Sequence, residues 1–136
     1  AVPMVGSRAG SMGRAMSEST QPLVVEVGEV AGYPCLRPVG EVDIASVPVL
    51  QEALGAQLDA GRMKLVMDLQ ALTYLDSTGL GCITAARRRA REAGGDLILI
   101  CTNARILRLL SITGLDHVFV VCRTRDEAAK ALGGGQ

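Results

Sequence analysis

Tryptophan is absent from this 136-residue chain, and tyrosine and phenylalanine are nearly so, at two and one. Platforms that stack nucleotide bases are built on aromatic side chains, so a single-strand-binding surface is disfavoured. A surplus of charge is missing too, since Lys plus Arg and Asp plus Glu both number 14. Proteins that grip nucleic acid carry a basic excess or a basic face, so no direct nucleic-acid partner is expected. No apolar run approaches the roughly 18 residues of a membrane span, and no membrane partner is expected either. Residues 1–20, AVPMVGSRAGSMGRAMSEST, hold no apolar core of the signal-peptide kind and read as a mobile tail. That makes the cytoplasm the expected compartment. The cysteines, Cys35, Cys82, Cys101 and Cys122, include no CxxC pair. No metal site is therefore expected, and reduced thiols are the default.

What is present is apolar and alternating. Hydrophobic residues make up 49% of the chain, enough for a buried core in one domain over residues 21–133. LVVEVGEV (23–30) and YPCLRPV (33–39) read as two strands joined at Ala31-Gly32. Pro34 and Pro38 remove ladder donors, which places this pair towards a sheet edge. In residues 47–61, Val47, Leu50, Leu54 and Leu58 fall on one helical stripe, and Gly61 ends it. KLVMDL (64–69), DLILIC (96–101) and VFVVC (118–122) read as strands buried on both faces. Between them lie a helix at 77–93, with Leu80, Ile83, Ala86, Ala90 and Ala93 on one arc, and a helix at 104–113. Asn103 can cap the second of these and Gly114 can terminate it in the left-handed conformation. TRDE (124–127) is a capping box for a short last helix. The order β-β-α-β-α-β-α-β-α implies an α/β fold with a mostly parallel sheet and right-handed crossovers.

Loops after the strands of such a sheet carry function. YLDSTGLG (74–81) is one, and it gathers Asp76, Ser77 and Thr78 at the start of a helix. Capping by Asp76 or Ser77 explains one of these side chains but not three. A hydrolase elbow, GxSxG, would need glycine where Leu75 stands, and a base, for which only His117 exists. A phosphate-binding loop would need a lysine after its second glycine, and none follows Gly79 or Gly81. A serine receiving a phosphate is physically reasonable, because a helix start accepts anionic oxygens. Capping and phospho-acceptance remain open on these residues alone.

Three segments in register add to this. GEVDIASVPVLQEAL (40–54), LVMDLQALTYLDSTGLG (65–81) and ITGLDHVFVV (112–121) resemble the STAS-domain anti-sigma factor antagonists of bacteria, over about residues 22–132. The resemblance implies the STAS fold and a regulatory binding module without catalytic residues or a cofactor of its own. It implies that the unphosphorylated protein binds an anti-sigma factor and frees a sigma factor. The anti-sigma factor would be a serine kinase that supplies ATP and Mg²⁺ and phosphorylates Ser77, and a serine phosphatase would reverse the step. Asp43, Asp76, Thr78, Gly79 and Leu80 would form the partner-binding surface. A STAS scaffold in a stress-signalling assembly is the alternative within the same fold; a small hydrolytic or nucleotide-binding enzyme is the alternative outside it. Arg87, Arg88, Arg89 and Arg91 read as a solvated helix face, with an acidic partner surface as the other option. Cys101 and Cys122 end two strands at equivalent positions, but a disulfide between them is not favoured in a reducing compartment.

Overall fold

In the computed structural model the described residues are 22–134, so the tail expected at 1–20 lies outside them. In chain order they form β1 (Val24–Val30), β2 (Tyr33–Val42), α1 (Val47–Asp59), β3 (Lys64–Asp68), β4 (Leu72–Leu75), α2 (Ser77–Glu92), β5 (Asp96–Ile100), α3 (Ala104–Thr113), β6 (Val121–Cys122) and α4 (Arg125–Ala129). A 3₁₀ turn, Leu115–His117, separates α3 from β6.

The strand order is β1-β2-β3-β5-β6, with β4 joined to β2 alone. Among the described residues only the β1–β2 hairpin is antiparallel, and it lies at one end of the sheet as the prolines require. The apolar runs behave as doubly buried strands. Leu65 and Met67, with Leu97 and Leu99, face a core shared with the stripe of α1, with Leu80, Ile83, Ala86 and Ala90 of α2, and with Ile106 and Leu110 of α3. Val66, Ile98 and Ile100 face the opposite side, where Ala128 and Leu132 from α4 and the turn after it cover them. Each fully buried leucine contributes about 2 kcal/mol. Ala93, expected on the buried arc of α2, is exposed at the helix end.

Local signals act as read. Asn103 Oδ1 accepts from the N–H groups of Arg105 and Ile106, and Gly114 is left-handed at φ 78°. Thr124 Oγ1 accepts from Glu127 N–H, while Glu127 reaches back to the N–H of Arg123. Two expectations change. Tyr74 and Leu75, read as the start of a loop, belong to β4. The strand expected at 118–122 shrinks to Val121–Cys122, because Val118 and Phe119 spend their N–H groups on Leu115 O in the preceding turn. Val118 and Val120 are accordingly exposed.

Asp68 closes β3 as a carboxylate 2% exposed. It accepts from Gln70 N–H at 3.0 Å and faces Arg125 at 3.5 Å and Arg37 at 4.0 Å. A buried charge needs such partners.

All four cysteines are free thiols. Cys101 N–H donates to Cys122 O, yet Cys101 packs in the core under α1–α3 and Cys122 under α4. Their side chains thus leave the sheet on opposite faces. Burial pushes all four thiols up, so none is primed as a thiolate near neutral pH. Melting temperature is expected to be the same with and without reductant. A large loss on reduction that Cys122→Ser abolishes would contradict this.

Candidate functional site

The site begins with a change of partner along β2. Pro34 and Pro38 bracket Cys35 and Leu36, the two positions at which β2 is in register with β3. Proline offers no N–H to a ladder, so that pairing stays short. Past Pro38 the strand leaves β3, shifts register at Gly40/Glu41 and runs parallel to β4. Thr73 Oγ1 donates to Gly40 O at 3.0 Å, and Asp76 N–H donates to Val42 O at 3.2 Å. Val42 and Leu75 are register partners. Asp43 and Asp76, the next residue of each chain segment, therefore leave adjacent parallel strands together at the C-terminal sheet edge.

Asp43 is committed to its own turn. Its Oδ1 accepts from the N–H groups of Ala45 and Ser46, both at 3.0 Å, and from Ser46 Oγ at 3.1 Å. Ser46 Oγ also approaches Glu41 O at 2.9 Å and receives Asp43 N–H at 3.0 Å. Asp43 Oδ2 has no partner among the described residues. Ser46 was not singled out by sequence reading. The Asp-x-x-Ser spacing before the α1 stripe is the signal that would have found it.

Asp76 is the N-cap of α2, with Oδ1 accepting from Gly79 N–H at 3.0 Å. Capping thus uses one of the three side chains in the loop. Ser77 and Thr78 occupy the first two helical positions, both exposed, and their hydroxyls make no hydrogen bond among the described residues. Gly79 and Leu80 are buried instead, Leu80 being 3% exposed. In this conformation they lie beneath the surface and offer it little area. Gly79 lets α2 press onto the paired strands. A Cβ there would stand 2.5 Å from Val42 Cγ1 and 2.6 Å from Leu75 Cδ1. Gly79→Ala is expected to cost about 2 kcal/mol, an overpacking penalty measurable by urea titration. Unchanged stability would mean that the helix start can lift away freely.

Among the described residues no histidine is brought to Ser77. His117 is almost fully exposed in the turn that precedes β6, at the other end of the parallel sheet, beside Asp116. The arginines sit in the later turns of α2. Arg87 and Arg91 face Asp96 at 3.1 and 3.6 Å, and Arg89 meets Asp59 at 2.6 Å. Arg87 also lies over the Phe119 ring, and only Arg88 of the four has no partner among the described residues. Among the described residues no cluster of His, Cys, Asp and Glu is arranged to hold a metal, and no helix is long and apolar enough to cross a membrane. Cys82 is half-buried against the α1–α3 core. The site is therefore an acidic rim, made by Asp43 and Asp76, around two free hydroxyls.

Comparison with known proteins agrees with this geometry. The family model for the STAS domain matches residues 21–128. The anti-sigma-B factor antagonist of Bacillus subtilis is 37% identical over 97 residues, 71% of this chain and 83% of that protein. The protein of that name from Listeria monocytogenes is 33% identical over 88 residues, 65% of this chain and 77% of that one. A crystal structure of an anti-sigma factor antagonist from Mycobacterium paratuberculosis superposes with a TM-score of 0.69 at 30% identity, covering 81% of this chain and 93% of that one. The strand order, the matched residues and these likenesses agree: the chain belongs to the STAS-domain family and, within it, to the anti-sigma factor antagonists.

Proposed function

We propose that the unphosphorylated protein binds an anti-sigma factor and displaces the sigma factor it holds, and that phosphorylation of Ser77 ends this binding. The observation that carries the reading is the free, exposed hydroxyl of Ser77 at the first position of a helix already capped by Asp76. The family is regulatory rather than catalytic, and the anti-sigma factor is the partner its members' names specify. In the proposed switch the anti-sigma factor is also a serine kinase. The γ-phosphoryl group of ATP passes to Ser77 Oγ, ADP leaves, and the hydroxyl proton goes to a base of the kinase. A serine phosphatase hydrolyses the ester and resets the switch. Thr78 and Asp76 supply contacts beside the acceptor, and Asp43 supplies one through Oδ2. Gly79 and Leu80 support them from below.

The test is incubation with ATP, alone and with the anti-sigma kinase of the source genome, followed by mass spectrometry. One phosphate on Ser77, kinase-dependent and absent from Ser77→Ala, is the expected result. The chain alone should turn over neither ATP nor a simple ester. Label confined to Thr78, or turnover by the chain alone that Ser77→Ala abolishes, would refute the reading.

A further inference from the structure

Ile44 is the most exposed large apolar side chain among the described residues, at 74%. It stands at the tip of the turn that Asp43 and Ser46 lock with their hydrogen bonds. An isoleucine in water is unfavourable, and among the described residues none shelters this one. The turn could present a polar residue at that position at no cost to its hydrogen bonds, because none of them uses the Ile44 side chain. Ile44 is also held in register with the acceptor. Val42 pairs with Leu75, so Ile44 and Ser77 each lie two residues beyond a paired position. Neighbouring strands are about 4.8 Å apart, which sets the two turns side by side.

We propose that Ile44 is the apolar anchor through which the kinase that docks over Ser77 is recognised, entering an apolar pocket on that protein. This inference rests on the functional reading above. Three features support the choice of occupant. The anchor is contiguous with the acceptor, so a protein covering Ser77 also covers Ile44. It is flanked by Asp43, whose free Oδ2 would meet a cation at the rim of the same pocket. The hydrogen bonds of its turn hold its backbone in place before binding, which lowers the entropy lost when it is buried. An apolar anchor ringed by polar contacts is the arrangement in which interface energy concentrates.

The experiment is steady-state phosphorylation of Ser77 by the kinase identified above, with wild type, Ile44→Ser, Ile44→Leu and Ile112→Ser. Ile112 is the control. It is 72% exposed but lies at the C-terminal end of α3, which the parallel topology puts at the opposite end of the sheet. Ile44→Ser should raise KM roughly 10- to 100-fold, the loss from leaving one large apolar side chain unburied, with kcat and melting temperature unchanged. Ile44→Leu should restore most of the affinity, and Ile112→Ser should behave as wild type. Labelled wild type with KM for Ile44→Ser within twofold would overturn the anchor while leaving the switch intact. A loss shared equally by Ile112→Ser would overturn it as well. So would a wild-type dimer, seen by sedimentation, that Ile44→Ser dissolves without moving KM. Wild type that is never labelled at Ser77 would overturn both the switch and the anchor.

Discussion

Phosphorylation of Ser77 is expected to weaken the complex with the anti-sigma factor by about 100-fold or more, equivalent to at least about 2.7 kcal/mol, while the domain stays folded. The two halves of that expectation have different causes. In the free protein the phosphate sits at the start of α2, where the N–H groups of Ser77 and Thr78 have no intrahelical acceptor. Those donors and the helix dipole receive anionic oxygens. Asp76 opposes the new charge, but its Oδ1 is already held by Gly79 N–H and solvent reaches the rest. In the complex the same group, carrying about −1.5 to −2 charges, would enter a surface matched to a neutral hydroxyl. Burying an unmatched charge at an interface costs several kcal/mol. Ser77→Glu supplies one charge and should reproduce part of the loss. Ser77→Ala should bind and resist release by ATP. Thr78→Ala should still be labelled. Calorimetry of wild type, phosphoprotein and these variants against the kinase partner, with circular dichroism for the fold, measures each effect. Phosphoprotein that binds as tightly as wild type would sink the switch.

Gly95→Ala is expected to be the most destabilising of the conservative glycine substitutions, at about 3 kcal/mol, or a fall of roughly 10 °C in melting temperature. Gly95 carries the chain from α2 into β5, with its N–H donating to Ala90 O at 2.8 Å. A methyl group there would run into the carbonyl of Met63. That carbonyl accepts from Asp96 N–H at 2.9 Å, at the start of the β3–β5 ladder. The obstacle is backbone on both sides, so no rotamer change relieves it. Gly81→Ala is the contrasting case. Its Cβ would meet nothing within 4 Å, and alanine is the better helix former by about 0.8 kcal/mol. Thermal unfolding of both variants decides the matter. Equal melting of Gly95→Ala and wild type would show that this junction can shift.

Much of this architecture is legible in the sequence. Doubly buried strands declare themselves as continuous apolar runs, and Asn103, Gly114 and Thr124 announce helix ends through side chains that act locally. β4 did not declare itself. It has only four residues, with the middle two exposed and only Leu72 and Leu75 buried, a pattern too short to separate from a loop. Its identity depends on β2 leaving β3, which is a tertiary event. The length of β6 is hidden for a related reason, since the 3₁₀ turn takes the donors that a longer strand would use. At the site, the cluster around Ser77 was visible from residue types and spacing. Leu80 follows from the apolar arc of α2, but that Gly79 is buried while Ile44 points out does not. Each is apolar or small in a segment of similar composition, and only the packing of α2 on Val42 and Leu75 separates them.

The divided pairing of β2 has a consequence in time as well as in space. Its first half is fastened to β1 and β3, and its second half to the short β4. Regions held by few hydrogen bonds open more often than a sheet interior. Amide hydrogens of the short ladder, such as that of Asp76, should therefore exchange with solvent well before those of Leu65 to Asp68. Because that ladder joins the bases of both turns, each opening loosens the register between Asp43 and Ile44 on one side and Ser77 on the other, while each turn keeps its own hydrogen bonds. The surface is thus gained or lost as a unit, on a clock separate from that of the core beneath it.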